Sequence, residues 1–500
     1  MLKILLICFQ VAVQAVNVWV NDSGAVHIMS GNEVWLISDE VVIGSYAFSQ
    51  GEIELVDRRE WTSEDSVLGT YKGISLGWAL KETKEILMNT TLRIGSSQVL
   101  FEQRFPNGLE NVTNSTASYA LTVFPAFLRT SNIKDRACFA YHGVFPALKS
   151  CTIQSYKESW QGGQPLVLYD NETALVFSAL DKPKAQHMVT TDEWFGAGVK
   201  SGIATISTNW TQRWLLSETV DSSREAPPIR RAMEKWGAEF LAILGIENAL
   251  HSNRYRDKVH GAIGFWTDNG GYYHYSTGIP SNQTYEEAFI QVKKYHDTLQ
   301  IPFGHWQFDS WFYPKDGDVD GGGGGGAVVN WTSMDSVFPS GLPYVINTIL
   351  DGMPLVAHNR QWSVESDYIQ HKSASVEWFT TGSPPTGAAI PKDPDTFFAF
   401  FFNQQTDWNL QMYEQDWLSK EYDLVDAFQT NLTLGDDWLR AMAENVFASN
   451  RTMQMCMPYA HDILAGASFR GVTNARATDD YFHAPNHSNW AIGTTSLFYS

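Results

Sequence analysis

The sequence predicts two architectures in series: an N-terminal antiparallel β-sandwich over residues 16–220, then a (β/α)8-type barrel over residues 256–500, with a linker and helix at 221–255 between them. Three observations carry this. Residues 16–218 are short apolar or alternating runs separated by Gly, Asn and Ser, which is how a half-buried antiparallel sheet reads. Beyond residue 256, strand-length apolar runs alternate with helical stretches, which calls for a parallel sheet. Polar and acidic residues gather immediately after those runs, where barrels build their sites. The pattern reaches only about a seventh strand by Ser500, so the barrel is expected to be truncated there, with exposed sheet edges.

The first fifteen residues read as a signal peptide. Lys3 gives the positive start, residues 4–13 the apolar stretch, and Val13-Gln14-Ala15 the small-x-small cleavage pattern. The stretch is too short to span a membrane, and no later run approaches the roughly 20 apolar residues that spanning requires. Eleven Asn-x-Ser/Thr sequons, at Asn21, Asn89, Asn111, Asn114, Asn171, Asn209, Asn282, Asn330, Asn431, Asn450 and Asn486, fit a secreted glycoprotein.

Within the sandwich region, residues 34–37, 119–127, 165–169, 174–177 and 202–207 are expected strands. Cys138 and Cys151 lie in a strand-loop-strand segment and are expected to pair, leaving Cys456 free in an apolar run. Gly73-Ile74-Ser75-Leu76-Gly77 matches the serine-hydrolase elbow pattern, but its setting is β-rich and lacks the strand-to-helix turn that the elbow needs.

Pro227-Pro228 opens a helix whose inner face is Ile229, Ala232, Met233, Trp236, Phe240 and Ile243. Barrel strands follow at 261–266, 301–308, 354–357, 411–415 and 453–457, with a helix at 437–447. Thr284-x-x-Glu287 is a capping box, and it opens a helix with Ala288, Phe289, Val292 and Leu299 inward. Absence of a Gly-x-Gly-x-x-Gly or Walker sequence in this context favours a barrel over a nucleotide-binding doubly wound sheet. The glycines at 321–326, flanked by Asp316, Asp318 and Asp320, make a loop; it begins like a calcium loop, yet Ala327 stands where the bidentate Glu belongs.

A formal charge of −20 argues against nucleic acid or an anionic membrane as partner and suits a neutral oligosaccharide or glycoside. No Cys/His set has zinc spacing, no cofactor is required, and His461, His483 and His487 read as polar surface. After the expected strands come Trp266 and Asp268, then Asp309 and Trp311, then His358 and Trp362, then Asp416, and finally Arg476, Asp479 and Asp480. Acids interleaved with aromatic rings suit a sugar pocket: carboxylates take hydroxyls, rings stack on the sugar face, and two opposed acids perform glycoside chemistry.

Met455-Cys456-Met457, Arg476-Ala477-Thr478-Asp479-Asp480-Tyr481, Pro485 and the run ending Thr495-Ser496-Leu497-Phe498 resemble the raffinose synthase and alkaline α-galactosidase group of the α-galactosidase clan. Residues 301–309 are also similar to the second strand of the α-glucosidase and α-xylosidase families. The resemblance covers the barrel and implies a retaining mechanism, with Asp416 as nucleophile and Asp479, or alternatively Asp480, as acid/base. It places Trp266, Asp268, Asp309, Trp311, His358, Trp362 and Arg476 around the sugar. Two departures are visible: Asp309-Ser310-Trp311 stands where the group has Asp-Asp-Gly-Trp, and Glu414-Gln415 replaces the Lys before the nucleophile. Two readings follow, a retaining glycosidase or transglycosidase for α-linked sugars, and a non-catalytic secreted carbohydrate-binding or extracellular-matrix protein on a degenerate scaffold.

Overall fold

The computed structural model describes residues 16–110, 120–130, 133–157, 161–221, 227–246, 257–267, 283–301, 303–317, 326–371, 373–404, 407–478 and 498. Among these, residues up to 221 form mainly a nine-stranded and a six-stranded antiparallel sheet. Side chains alternate along each strand, so Ile74, Leu76 and Trp78 enter the core while Gly73 and Ser75 face outward with the neighbouring strand's Thr91 and Arg93. The two sheets meet face to face. Phe127 of the smaller sheet lies 6.0 Å from Phe101 and 5.5 Å from Phe177 of the larger, ring centre to ring centre. Cys138 and Cys151 are bonded across neighbouring strands, with their Cα atoms 4.9 Å apart.

Two expected strands are shorter than the apolar pattern suggests. Residues 119–127 yield Thr122–Val123 and Ala126–Leu128, parted at Pro125, which has no N–H to give the ladder. Residues 202–207 yield only Thr205–Ile206, because Gly202 turns the chain at φ +85° beside the Gln429 carbonyl. Gly73 to Gly77 lies inside the strand Gly69–Leu80, and Ser75 Oγ accepts a hydrogen bond from Trp61 at 3.1 Å. No nucleophile elbow exists there.

Helix α1 (Ile229–Leu244) begins after Pro228, ends at left-handed Gly245, and buries Ala232, Met233, Trp236 and Phe240. It rests on the larger sheet, where the Trp236 indole donates to Ser178 at 3.0 Å. The segment expected as a connector is therefore packed against the sandwich.

Six parallel strands follow: β1 (Ile263–Trp266), β2 (Phe303–Phe308), β3 (Leu355–Asn359), β4 (Leu410–Gln415), β5 (Thr452–Met455) and β6 (Val472–Ala475). Each pairs with the next in chain order. A doubly wound sheet reverses its order at a switch point, and this one does not. Helix α2 (Tyr285–Thr298) carries the expected capping box, Thr284 with Glu287. It buries Ala288 and Phe289, but Leu299, past its end, is exposed. The longer later helices are α3 (Pro394–Asn403), α4 (Leu418–Leu424), α5 (Leu434–Ala448) and α6 (Ala460–Gly466), with shorter helical turns in the same connections. The expected seventh strand falls at residues outside those described, apart from Phe498, whose ring lies 4.8 Å from Tyr141 of the sandwich.

Strand alternation fixes which face of the parallel sheet each side chain takes. Phe265, Trp306, Phe308 and Tyr413 pack outward on helices and connections. Trp266, His305, Gln307, Val356, His358, Met412 and Glu414 point inward, and Val356 and Met412 form an apolar floor with Val259.

The sandwich grips the parallel-sheet region through two buried lysines. Lys184 pairs with Asp462 on α6, and Lys200 donates to the Phe428 carbonyl and, at 3.4 Å, to the Tyr422 hydroxyl. Burial pushes Lys200 down to about 7 and Asp436 nearby up to about 7. His461 belongs to this buried set, 4.6 Å from the Tyr422 ring, and not to the polar surface expected from sequence. Burial holds its pKa well below the usual histidine range, so it is neutral. His483 and His487 lie outside the described residues.

Candidate active site

The C-terminal ends of β2 to β6 bring one polar cluster together. Asp416 follows β4 directly. Its Oδ2 lies 3.0 Å from His358 Nε2 and its Oδ1 accepts the Trp417 backbone N–H at 2.7 Å. Trp417 adopts φ +57°, a left-handed conformation unusual for so large a residue, and the resulting sharp turn aims that N–H back at the carboxylate. The Cys456 thiol, just past β5, also helps hold this carboxylate below its ordinary range. Arg476, after β6, donates to Cys456 Sγ at 3.5 Å.

Asp309, just past β2, lies on the other side of His358, its Oδ1 3.9 Å from Nε2. A single Gln307 amide joins two more acids, donating to Glu414 at 2.9 Å and Asp309 at 3.2 Å. Thr267 ties β1 to this group, its hydroxyl donating to the Gln307 carbonyl at 2.8 Å while accepting the Asp309 N–H and the Trp311 indole N–H. Behind His358, the Tyr313 hydroxyl shares a 2.7 Å hydrogen bond with Nδ1.

Two neighbouring carboxyls are driven in opposite directions. Burial would raise Asp416, but the His358 hydrogen bond and charge, with the Cys456 thiol, hold it below the usual carboxylate range. Glu414 is pushed up to about 8 by burial and by the nearby Asp309 charge, against which the Gln307 hydrogen bond is too weak. At neutral pH the cluster therefore holds an ionised Asp416 above a largely protonated Glu414. Asp416 is also the more solvent-reaching, 13% exposed at its side chain, whereas Glu414 is fully buried.

The expected site residues divide into four groups. Asp416, Asp309, His358 and Arg476 converge, with His358 holding Asp416 from a buried position rather than facing a ligand. Trp266 sits within β1, its indole donating to His305 at 3.0 Å. Trp311 and Trp362 are core residues and cannot stack on a sugar as expected. Trp311 is stacked 4.6 Å from Tyr285, and Trp362 is enclosed by Tyr368, Phe397 and Phe401. Asp268, Asp479 and Asp480 lie outside the described residues.

Gln307, Tyr313, Glu414 and Cys456 are members that sequence reasoning did not assign. The available signal was alternation: Gln307 and Glu414 share the face of their strands opposite Trp306, Phe308 and Tyr413. The half-exposed ring at the mouth is Trp417, with Lys420 Nζ 3.7 Å and the Arg360 guanidinium 4.5 Å from its centre. Of the acidic loop, Asp316 accepts the Ala327 N–H at 2.5 Å; Asp318 and Asp320 lie outside the described residues.

No protein-family model and no curated protein matches the sequence. Solved structures match in fold. A variant of a Glycoside Hydrolase Family 97 enzyme from Pseudoalteromonas sp., in complex with panose, superposes with a TM-score of 0.52 at 10% identity, covering 92% of this chain and 68% of that one. An enzyme of that family and source in complex with acarbose gives 0.51 at 11% identity, with the same coverage. An α-galactosidase from Thermus thermophilus in complex with stachyose gives 0.47 at 11% identity, covering 88% of this chain and 83% of that one. The chain shares its fold with the first two of these enzymes. Sandwich and parallel strands are matched together, since the first two alignments span most of the chain.

Proposed function

We propose that this protein is a secreted, N-glycosylated glycosidase or transglycosidase that acts on α-linked sugars by a retaining mechanism. The observation that carries the reading is Asp416: a carboxylate at the mouth of the parallel strands, held below the usual carboxylate range by His358 and Cys456, bonded to the Trp417 N–H, and still 13% exposed at its side chain. Those are the requirements of a nucleophile toward an anomeric carbon. Asp416 attacks that carbon as the glycosidic oxygen departs with a proton from the acid/base, assigned to Asp479 or Asp480; water or an acceptor hydroxyl then releases the sugar. Asp309 reaches the same mouth and takes a sugar hydroxyl. The panose and acarbose complexes of the structurally similar enzymes support an oligosaccharide substrate.

The test is a screen of aryl α-glycosides and oligosaccharides against the full-length secreted protein. Turnover with retained anomeric configuration, seen by NMR in the first minutes, supports the reading. Sugar binding without turnover of any of them would assign the chain to the non-catalytic class instead.

A further inference from the structure

We propose a second carbohydrate-binding site on the outer face of the larger sandwich sheet, with the indole of Trp61 as its platform and a neutral oligosaccharide as its ligand. Trp61 lies on the edge strand Ile53–Asp65, directly opposite Gly73 of the strand Gly69–Leu80. A Cβ placed on Gly73 would meet three atoms of the indole, Cε2, Cζ2 and Cδ2, at 2.2 to 2.4 Å. Near-equal distances to atoms of both rings mean that the indole lies flat over the glycine. One face rests on backbone and the Tyr71 ring packs roughly perpendicular to the indole, 5.7 Å away, so the exposure of this half-buried residue comes mainly from the other face.

Covering a sheet glycine is in itself a structural use for an aromatic ring. The surroundings supply more than that. Ser75 accepts the indole N–H at 3.1 Å and lies 3.4 Å from the Thr91 hydroxyl, which pins the ring parallel to the sheet. On the same face, the neighbouring strands present Thr91, Arg93 and Glu102, all partly exposed, with Arg93 and Glu102 paired at 3.3 Å. A flat ring beside a row of hydroxyl, guanidinium and carboxylate groups matches the two aspects of a pyranose, an apolar C–H face and a rim of hydroxyls. Gly73 and Ser75, the serine-hydrolase lookalike in the sequence, are thus the seat of this platform.

The choice of an α-linked probe rests on the proposed function; the site itself does not. Full-length protein carrying Asp416→Asn, to prevent turnover, is labelled with 5-fluorotryptophan, freed of N-glycans and titrated with maltoheptaose. Trp61→Phe identifies the Trp61 fluorine resonance, and that resonance should shift saturably. Trp61→Ala should weaken the corresponding affinity about two- to tenfold while leaving wild-type turnover of small aryl glycosides unchanged. A Trp61 resonance that stays fixed throughout the titration overturns the proposal, even if Trp61→Ala fails to fold. The titration is repeated on the glycosylated protein, and a resonance that moves only after the glycans are removed also overturns the proposal, since the ring would then hold the Asn89 glycan or another self-glycan. Failure of the glycosidase reading shows separately, as absence of turnover by the unlabelled wild type.

Discussion

His358 Nε2 stands 3.0 Å from Asp416 Oδ2, and the imidazole is itself fixed from behind by Tyr313 at 2.7 Å. This pair decides the charge of the site, because burial acting alone would raise Asp416 and the histidine is what reverses the sign. In His358→Gln the carboxylate loses the charge and keeps at best a neutral donor. The acidic limb of kcat/KM should move to higher pH, and kcat at neutral pH should fall, on the order of tenfold or more for a lost charge-assisted hydrogen bond. An unchanged acidic limb would mean that Asp416 is not the group that must be ionised.

Glu414 gives a stability prediction of opposite sign to the ordinary carboxylate. Its folded pKa, about 8, lies above its usual value of 4.5. Between those limits the folded chain holds the proton more tightly than the unfolded one, so this group's contribution to stability declines as pH rises from about 4.5 to 8. Glu414→Gln keeps a neutral donor and acceptor for Gln307. Urea melts should show the variant gaining stability relative to wild type as pH increases through that window, and no gain below about pH 4.

Much of the fold was legible because periodicity is a local signal. The Thr284-Glu287 cap, the apolar face of α1 and the strand ending at Asp416 were all fixed by residues within a few positions of one another. Long-range packing was not legible. Trp311 and Trp362 read like sugar-stacking residues until Tyr285 and Phe397, distant in sequence, enclose them. The hairpin of Trp378–Thr381 with Ala388–Pro391 interrupts the expected strand-helix alternation ahead of α3. Cys456 looked like a core thiol; only the register of β4 against β5 brings it to Asp416.

Sugar preference follows from the second strand. Ser310 Oγ cannot supply the charge of the second acid found in the α-galactosidase-like motif, and Asp309 is already bonded to Gln307 at 3.2 Å. Loss of one such contact to a galactose hydroxyl costs about 1–3 kcal/mol. An α-galactoside should therefore show no large kcat/KM advantage over the matching α-glucoside, measured with a common aryl leaving group.

Secretion is checked by mass. Asn171, Asn209, Asn431 and Asn450 are exposed in the fold, whereas Asn330 donates its amide to Asp367 at 2.9 Å and is partly buried. Endoglycosidase treatment should lower the apparent mass of the secreted protein, and glycopeptide mapping should find the exposed four occupied ahead of Asn330. No mass change on treatment would remove the secretory assignment.

The last prediction concerns the division of labour between Asp416 and the acids after β6. Asp416→Gly removes the nucleophile, and with it both steps of a double displacement, so turnover should fall by several orders of magnitude even for activated aryl glycosides. Added azide fits the space of the missing carboxylate and attacks the anomeric carbon from the same side. With the aryloxide as leaving group, the product is a glycosyl azide of inverted configuration. Asp479→Ala or Asp480→Ala, whichever removes the acid/base, should behave differently. Activated aryl substrates need no proton to depart, so the first step should survive while release of the covalent sugar slows, giving a burst followed by a slow steady state. Azide should then accelerate turnover and give product of retained configuration, because it replaces the water that the acid/base would have activated. Opposite product configurations from the two variants assign the roles. Near-normal activity in Asp416→Gly, or a failure of azide to rescue it on any substrate the wild type turns over, would reject Asp416 as the nucleophile.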